Sequence, residues 1–138
     1  MFFVKPIKDI ELQKDICKIV GDVYVPGTLA YCSAELSENE TIDHYIGICQ
    51  FIPGEDAKIV SLSPAPGCEE DEAIIILLRT VMSFLERAGS KTMILPFSAG
   101  PAEILKKCGL VKSENGYTVD LVEFYKAPCR YNKENQNG

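Results

Sequence analysis

The stretch Ala57-Lys58-Ile59-Val60-Ser61-Leu62-Ser63-Pro64 decides the fold. Its first six residues are mostly apolar and bounded by turn residues, so they read as a short buried strand. Pro53-Gly54-Glu55-Asp56 makes the turn before it, and Ser63-Pro64-Ala65-Pro66-Gly67-Cys68 forms the loop after it. Four consecutive acids follow, Glu69-Glu70-Asp71-Glu72. The longest amphipathic run of the chain then predicts a helix from about Glu69 to Ala88, ended by Gly89. Lys91 to Phe97 reads as another buried strand.

Toward the N-terminus, Phe2 to Pro6 is a first strand. Ile10, Leu12, Ile16, Cys17, Ile19 and Val20 recur at near-helical spacing, which predicts a helix over 8–20 stopped by Gly21. Val23 to Gly27 is a loop. Thr28–Leu36 and Ile42–Ile52 form a hairpin around the polar turn Ser37-Glu38-Asn39-Glu40. Toward the C-terminus, Pro101–Cys108 is a short helix stopped by Gly109. Leu110–Lys112 and Tyr117–Lys126 are two closing strands joined by Glu114-Asn115-Gly116. The tail Ala127–Gly138 has few apolar groups and is expected to fray. The order β-α-β-β-β-α-β-α-β-β predicts an α/β fold, a mixed, mostly antiparallel sheet flanked by helices, in one domain over residues 1–126.

Composition narrows the function. The 138 residues are 46% hydrophobic and 25% charged, which excludes disorder, collagen and a disulfide-stapled miniprotein. Twenty acids against 14 bases give a net charge of -6, which argues against nucleic acid and suits a small or cationic partner. The N-terminus has no signal-peptide pattern, and no run approaches the roughly 18 apolar residues of a membrane span, so the expected location is cytoplasmic. The six cysteines include no C-x-x-C pair, so they are expected to be small buried hydrophobes in a reducing compartment. Cys32 and Cys49 are expected to face each other across the hairpin.

The element order resembles the GNAT superfamily of acyl-CoA N-acyltransferases over about residues 2–126. Ile59-Val60-Ser61-Leu62-Ser63-Pro64 resembles that family's central strand, which ends in an aliphatic-x-Pro step. Ile104-Leu105-Lys106-Lys107-Cys108-Gly109-Leu110 resembles its late Leu-Tyr-Glu-Lys-x-Gly-Phe segment. The resemblance implies acyl transfer from acetyl-CoA or another acyl-CoA to a small-molecule amine or a peptide acceptor, with a homodimer by analogy. It implies that the central strand bulges and that backbone groups of Leu62 and Ser63 pair with the pantetheine arm. The pyrophosphate would then lie on the loop and helix start, at Gly67 and Cys68. Ser98 stands where the family has an Asn and is a further expected cofactor contact.

The chain departs from the family at that loop. An Arg/Gln-x-x-Gly-x-Gly/Ala pattern, counted from Pro64, falls on Gly67, Glu70 and Glu72. Counted back from Leu77-Leu78, it falls on Glu69, Glu72 and Ile74. Neither restores the glycines or the base. Each carboxylate at about 8 Å from a phosphate costs roughly 0.5 kcal/mol in water-like surroundings and about 2 when shielded. The acids are therefore expected to cap the helix and weaken phosphate binding. Two other readings stand beside this: CoA held through pantetheine and a shifted loop, or a different ligand such as a cation. The family's thiolate-protonating Tyr is Leu105 here, expected to be core. No Glu lies in either central strand, which leaves Glu35, Asp43 and His44 as the nearest base candidates. Tyr24, Tyr31, Tyr45 and Phe51 are candidates for an acceptor pocket. The alternative to an enzyme is a catalytically degenerate domain that binds a small ligand or a protein partner. A cysteine-based redox or acyl-carrier role is a third reading.

Overall fold

A computed structural model of the chain describes residues 1–126. The expected tail 127–138 and Cys129 lie outside the described residues. The elements run β1 (Phe2–Ile7), α1 (Ile10–Val20), β2 (Leu29–Leu36), β3 (Ile42–Ile52), β4 (Asp56–Pro64), α2 (Asp71–Arg87), β5 (Thr92–Leu95), α3 (Ala102–Lys107), β6 (Val111–Ser113) and β7 (Gly116–Asp120). One seven-stranded sheet has the order β1-β2-β3-β4-β5-β7-β6. Its one parallel pair, β4 with β5, is joined through α2, as a parallel pair needs a crossover rather than a tight turn.

Each helix buries one stripe on one face of this sheet. Asp9 caps α1 by accepting from the Glu11 N–H at 3.2 Å, and Gly21 ends it in a left-handed conformation. Ile16, Cys17 and Val20 then pack on Ala30, Cys32 and Ile48. α2 buries Ile74, Leu77, Leu78, Val81, Met82 and Leu85 against the opposite face, where Ile59, Leu62, Met93 and Leu95 meet them. Full burial of each such side chain contributes about 1.5–3 kcal/mol. α1 covers the β1–β3 end of its face, leaving Lys58 and Ile94 exposed on the same face of β4 and β5.

Three expectations are corrected. The last strand stops at Asp120, and residues 121–126 are helical. The Asp120 carboxylate accepts from the Glu123 N–H at 3.1 Å, a helix cap that breaks the strand. Cys32 pairs with Ile48 and Cys49 with Tyr31, so neighbouring pairs point to opposite faces and the two cysteines never meet. Two register shifts in the hairpin move the partner of Cys32 from position 46, set by the Leu36↔Ile42 pair at the turn, to Ile48, one residue short of Cys49. The strand expected to reach Phe97 ends at Leu95, because Pro96 lacks the N–H that would extend the ladder.

Candidate functional site at the split between β4 and β5

β4 and β5 pair only from Asp56↔Thr92 to Lys58↔Ile94. Just beyond, Phe51 pairs with Ile59 and Gln50 with Ser61, so Val60 is the extra residue of a β-bulge. The bulge bends β4, and the two strands part. Alternation then fixes where backbone groups point. Leu62 turns its N–H away from β3, Ser63 turns back toward Ile48, and Pro64 has no N–H. Beyond the bulge, Leu62 therefore supplies the sole outward donor of β4.

That donor is engaged. The Leu62 N–H donates to the Ala99 carbonyl at 2.6 Å. The loop Pro96–Pro101 turns back from β5 to make this contact, tightened by the Ala99 N–H donating to the Pro96 carbonyl at 2.9 Å. Gly100 permits the approach: a Cβ there would lie 3.1 Å from the Leu62 Cβ and 3.2 Å from its carbonyl oxygen. Leu62 and Ala99 are both buried. The expected free N–H at Leu62 is thus capped by the chain itself, a bond worth about 0.5–1.5 kcal/mol net.

The split reopens past Leu62 as a cleft of about 260 Å³ lined by Pro64, Cys68, Glu70, Asp71, Pro101 and Glu103, among others. Three carboxylates thus border it. Ala65 to Cys68 forms a turn closed by the Cys68 N–H on the Ala65 carbonyl at 3.1 Å. Pro66 and Gly67 are its central residues, and Gly67 holds φ +76, the conformation such a turn demands of its third residue. Gly67 and Cys68 also line a shallower cavity of about 320 Å³ with His44, Glu69 and Glu70. Ser98 is exposed in the Pro96–Pro101 loop and lines neither cavity.

The acids do not cap α2 as expected. Glu70 occupies the cap position but makes no side-chain bond to the helix end. Its carboxylate accepts instead from the Cys68 thiol at 3.9 Å. Asp71 and Glu72 lie in the first turn, where their charge favours the helix dipole. They leave the mouth of the cleft acidic.

No sequence family model matches the chain, and no curated protein matches it in sequence. Solved structures do match it in shape. A GNAT family acetyltransferase from Brucella melitensis in complex with acetyl-CoA superposes with TM-score 0.62 at 13% identity, covering 87% of this chain and 88% of that one. An IAA acetyltransferase from Bacillus cereus gives TM-score 0.62 at 14% identity over 83% and 79%. A spermidine N-acetyltransferase chimera from Vibrio cholerae gives TM-score 0.64 at 9% identity over 89% and 99%. The chain has the GNAT fold.

Within this GNAT fold, the base candidates do not gather at Leu62. Glu35 binds the N-terminal ammonium. His44 and Asp43 form an exposed pair, Nδ1 to Oδ2 at 2.8 Å, beyond the end of β4. The four aromatics divide between faces. Tyr31 and Phe51 cluster with Phe84 on the α2 side, at 5.7–6.1 Å between centroids. Tyr24 and Tyr45 pack with the α1 cluster. Leu105 is fully buried core, as expected. Among the described residues, no cluster of three His, Cys, Asp or Glu side chains suits a metal, and no helix is long and apolar enough to cross a membrane.

Sequence reasoning missed the polar network beside the bulge. Fully buried Gln50 accepts from Gln13 Nε2 at 2.9 Å and from the Val25 N–H at 3.1 Å. The two N–H of its amide nitrogen are shared among Asp22 Oδ2, the Val23 carbonyl and Ser61 Oγ at 2.8–3.1 Å. Ser61 donates to Asp22 at 2.7 Å. The network ties the loop after α1 to β3 and β4. Its one legible signal was a Gln inside the apolar run of β3. A cavity of about 440 Å³ lies on this face of the sheet between Lys58, Ile94 and the Asn115–Gly116 turn.

Proposed function

We propose that the chain transfers an acyl group from acetyl-CoA or another acyl-CoA to the amine of a small molecule or a peptide. The observation that carries this reading is the split of β4 from β5 at the Val60 bulge, which leaves Leu62 as a strand-edge donor. An acyl-CoA would supply an activated thioester. The part of the chain is to offer the Leu62 N–H to the acyl carbonyl or the pantetheine amide, and to orient the reactants. Leu62, Ser63 and Pro64 suit an extended pantetheine. Gly67, Cys68 and Ser98 are the remaining proposed contacts. The carboxylates of Glu70, Asp71 and Glu103 do not suit a pyrophosphate, so affinity is expected to come from the pantetheine half. The 440 Å³ cavity near Lys58 is the proposed acceptor side.

The capped Leu62 donor and the acidic mouth favour a second reading, a GNAT-fold domain that binds a small ligand or a protein partner without acyl transfer. Release of free thiol from acetyl-CoA across a panel of amines and short peptides decides between them. Amine-dependent release supports transfer, and none at millimolar acetyl-CoA supports the second reading. The domain span 1–126, a cytoplasmic location and a homodimer are part of the same proposal, with sedimentation as the check on the dimer.

A further inference from the structure

Resting on the acyl-CoA reading, we propose that the Pro96–Pro101 loop is an autoinhibitory strap: Ala99 holds the Leu62 donor closed until an acyl-CoA takes its place. Three observations carry this. The strap takes the one outward N–H that β4 has beyond its bulge, rather than an arbitrary backbone group. One backbone bond, Leu62 to Ala99, ties this loop to β4 among the described residues; beyond it Ala99 packs in the core, the Phe97 ring lies edge-on to Tyr117 at 5.8 Å, and Ser98 is exposed. The close fit depends on Gly100, whose missing side chain leaves room for Leu62.

The bond is therefore built to exchange. A pantetheine amide carbonyl or acyl carbonyl can accept from Leu62 where Ala99 does, with one acceptor replacing another and no donor left bare. The closed population lowers apparent affinity by the fraction of molecules that are open. A side chain at Gly100 crowds Leu62, a residue fixed in the sheet, at 3.1–3.3 Å, so the strap has to yield by a few tenths of an ångström.

The test is amide exchange at Leu62 read by NMR, with binding of acetyl-CoA and of pantetheine to the wild type, Gly100→Ala and Gly100→Ser. Pantetheine lacks the pyrophosphate and so reports the strand edge apart from the acids. The strap predicts a protected Leu62 amide in the free wild type and a less protected one in both variants. It predicts about two- to tenfold tighter binding of both ligands by the variants. With acetyl-CoA on the wild type, Leu62 stays protected while the Gly100 amide shifts. Unprotected Leu62 in the free protein, or released Leu62 with unchanged affinity, overturns the strap and leaves the acyl-CoA reading standing. Released Leu62 with no binding of either ligand overturns both. Should Gly100→Ala fail to fold, the wild-type exchange with and without acetyl-CoA decides alone.

Discussion

Gln50 on β3 and Asp22 after α1 meet through a side-chain hydrogen bond of 3.1 Å, although 28 residues separate them. Gln50 is fully buried, and its carboxamide is saturated by partners from α1, the α1–β2 loop and β4. Truncation strips several of those partners of their bond to Gln50 in a part-buried site. Gln50→Ala is expected to destabilise the protein by about 1–3 kcal/mol or more in urea unfolding. A loss below about 0.5 kcal/mol would mean that the network does not fasten the loop.

Burial pushes the thiols of Cys17, Cys32 and Cys108 up to about 11 from an ordinary 9.0, and that of Cys49 higher still. The folded state therefore holds these protons more tightly than the unfolded chain. Their contribution to stability is complete below pH 9 and is lost as pH rises through about 11. Burial raises Tyr45 and Tyr125 with the same sign. Urea midpoints measured from pH 7 to 11 should stay level to about 9 and then fall. A midpoint that rises between pH 9 and 11 contradicts the assignment.

Cys68 is half-buried on the loop after β4, unlike the four fully buried thiols. A thiol reagent at pH 8, read by peptide mass mapping, should modify Cys68 long before Cys17, Cys32, Cys49 or Cys108. Equal rates would mean that the core opens faster than the reagent reacts.

Glu69, Glu70, Asp71 and Glu72 set the field at the cleft mouth. Glu70→Gln with Glu72→Gln should tighten acetyl-CoA binding several-fold, since each removed like charge is worth about 0.5 kcal/mol or more. Pantetheine binding should be unaffected. Raising salt should narrow the gap between variant and wild type. Equal affinities at low salt would place the phosphates elsewhere.

The elements were legible where local chemistry sets them. The apolar spacing of Ile16, Cys17 and Val20, with Asp9 and Gly21 at the ends, marks α1 without any tertiary contact. The Ser37–Thr41 turn marks the end of β2 and the start of β3. The helical turn after Asp120 was also written, as Asp-Leu-Val-Glu, yet the apolar run hid it. The pairing of Cys32 was not legible, because bulges shift register without a residue signature. At the site, Leu62, Pro64 and the acids could be placed from the sequence. The closing of Leu62 by Ala99 could not, since it joins two backbone groups that any residues carry.

Thermal unfolding with acetyl-CoA tests the central claim, that the split beside Leu62 holds the pantetheine of an acyl-CoA. Ligand at about ten times its Kd adds about 1.4 kcal/mol. The predicted result is a rise in Tm of several degrees that pantetheine reproduces and adenosine 3′,5′-bisphosphate does not. No rise with acetyl-CoA or pantetheine at millimolar concentration, in the wild type and in Gly100→Ala alike, would contradict it.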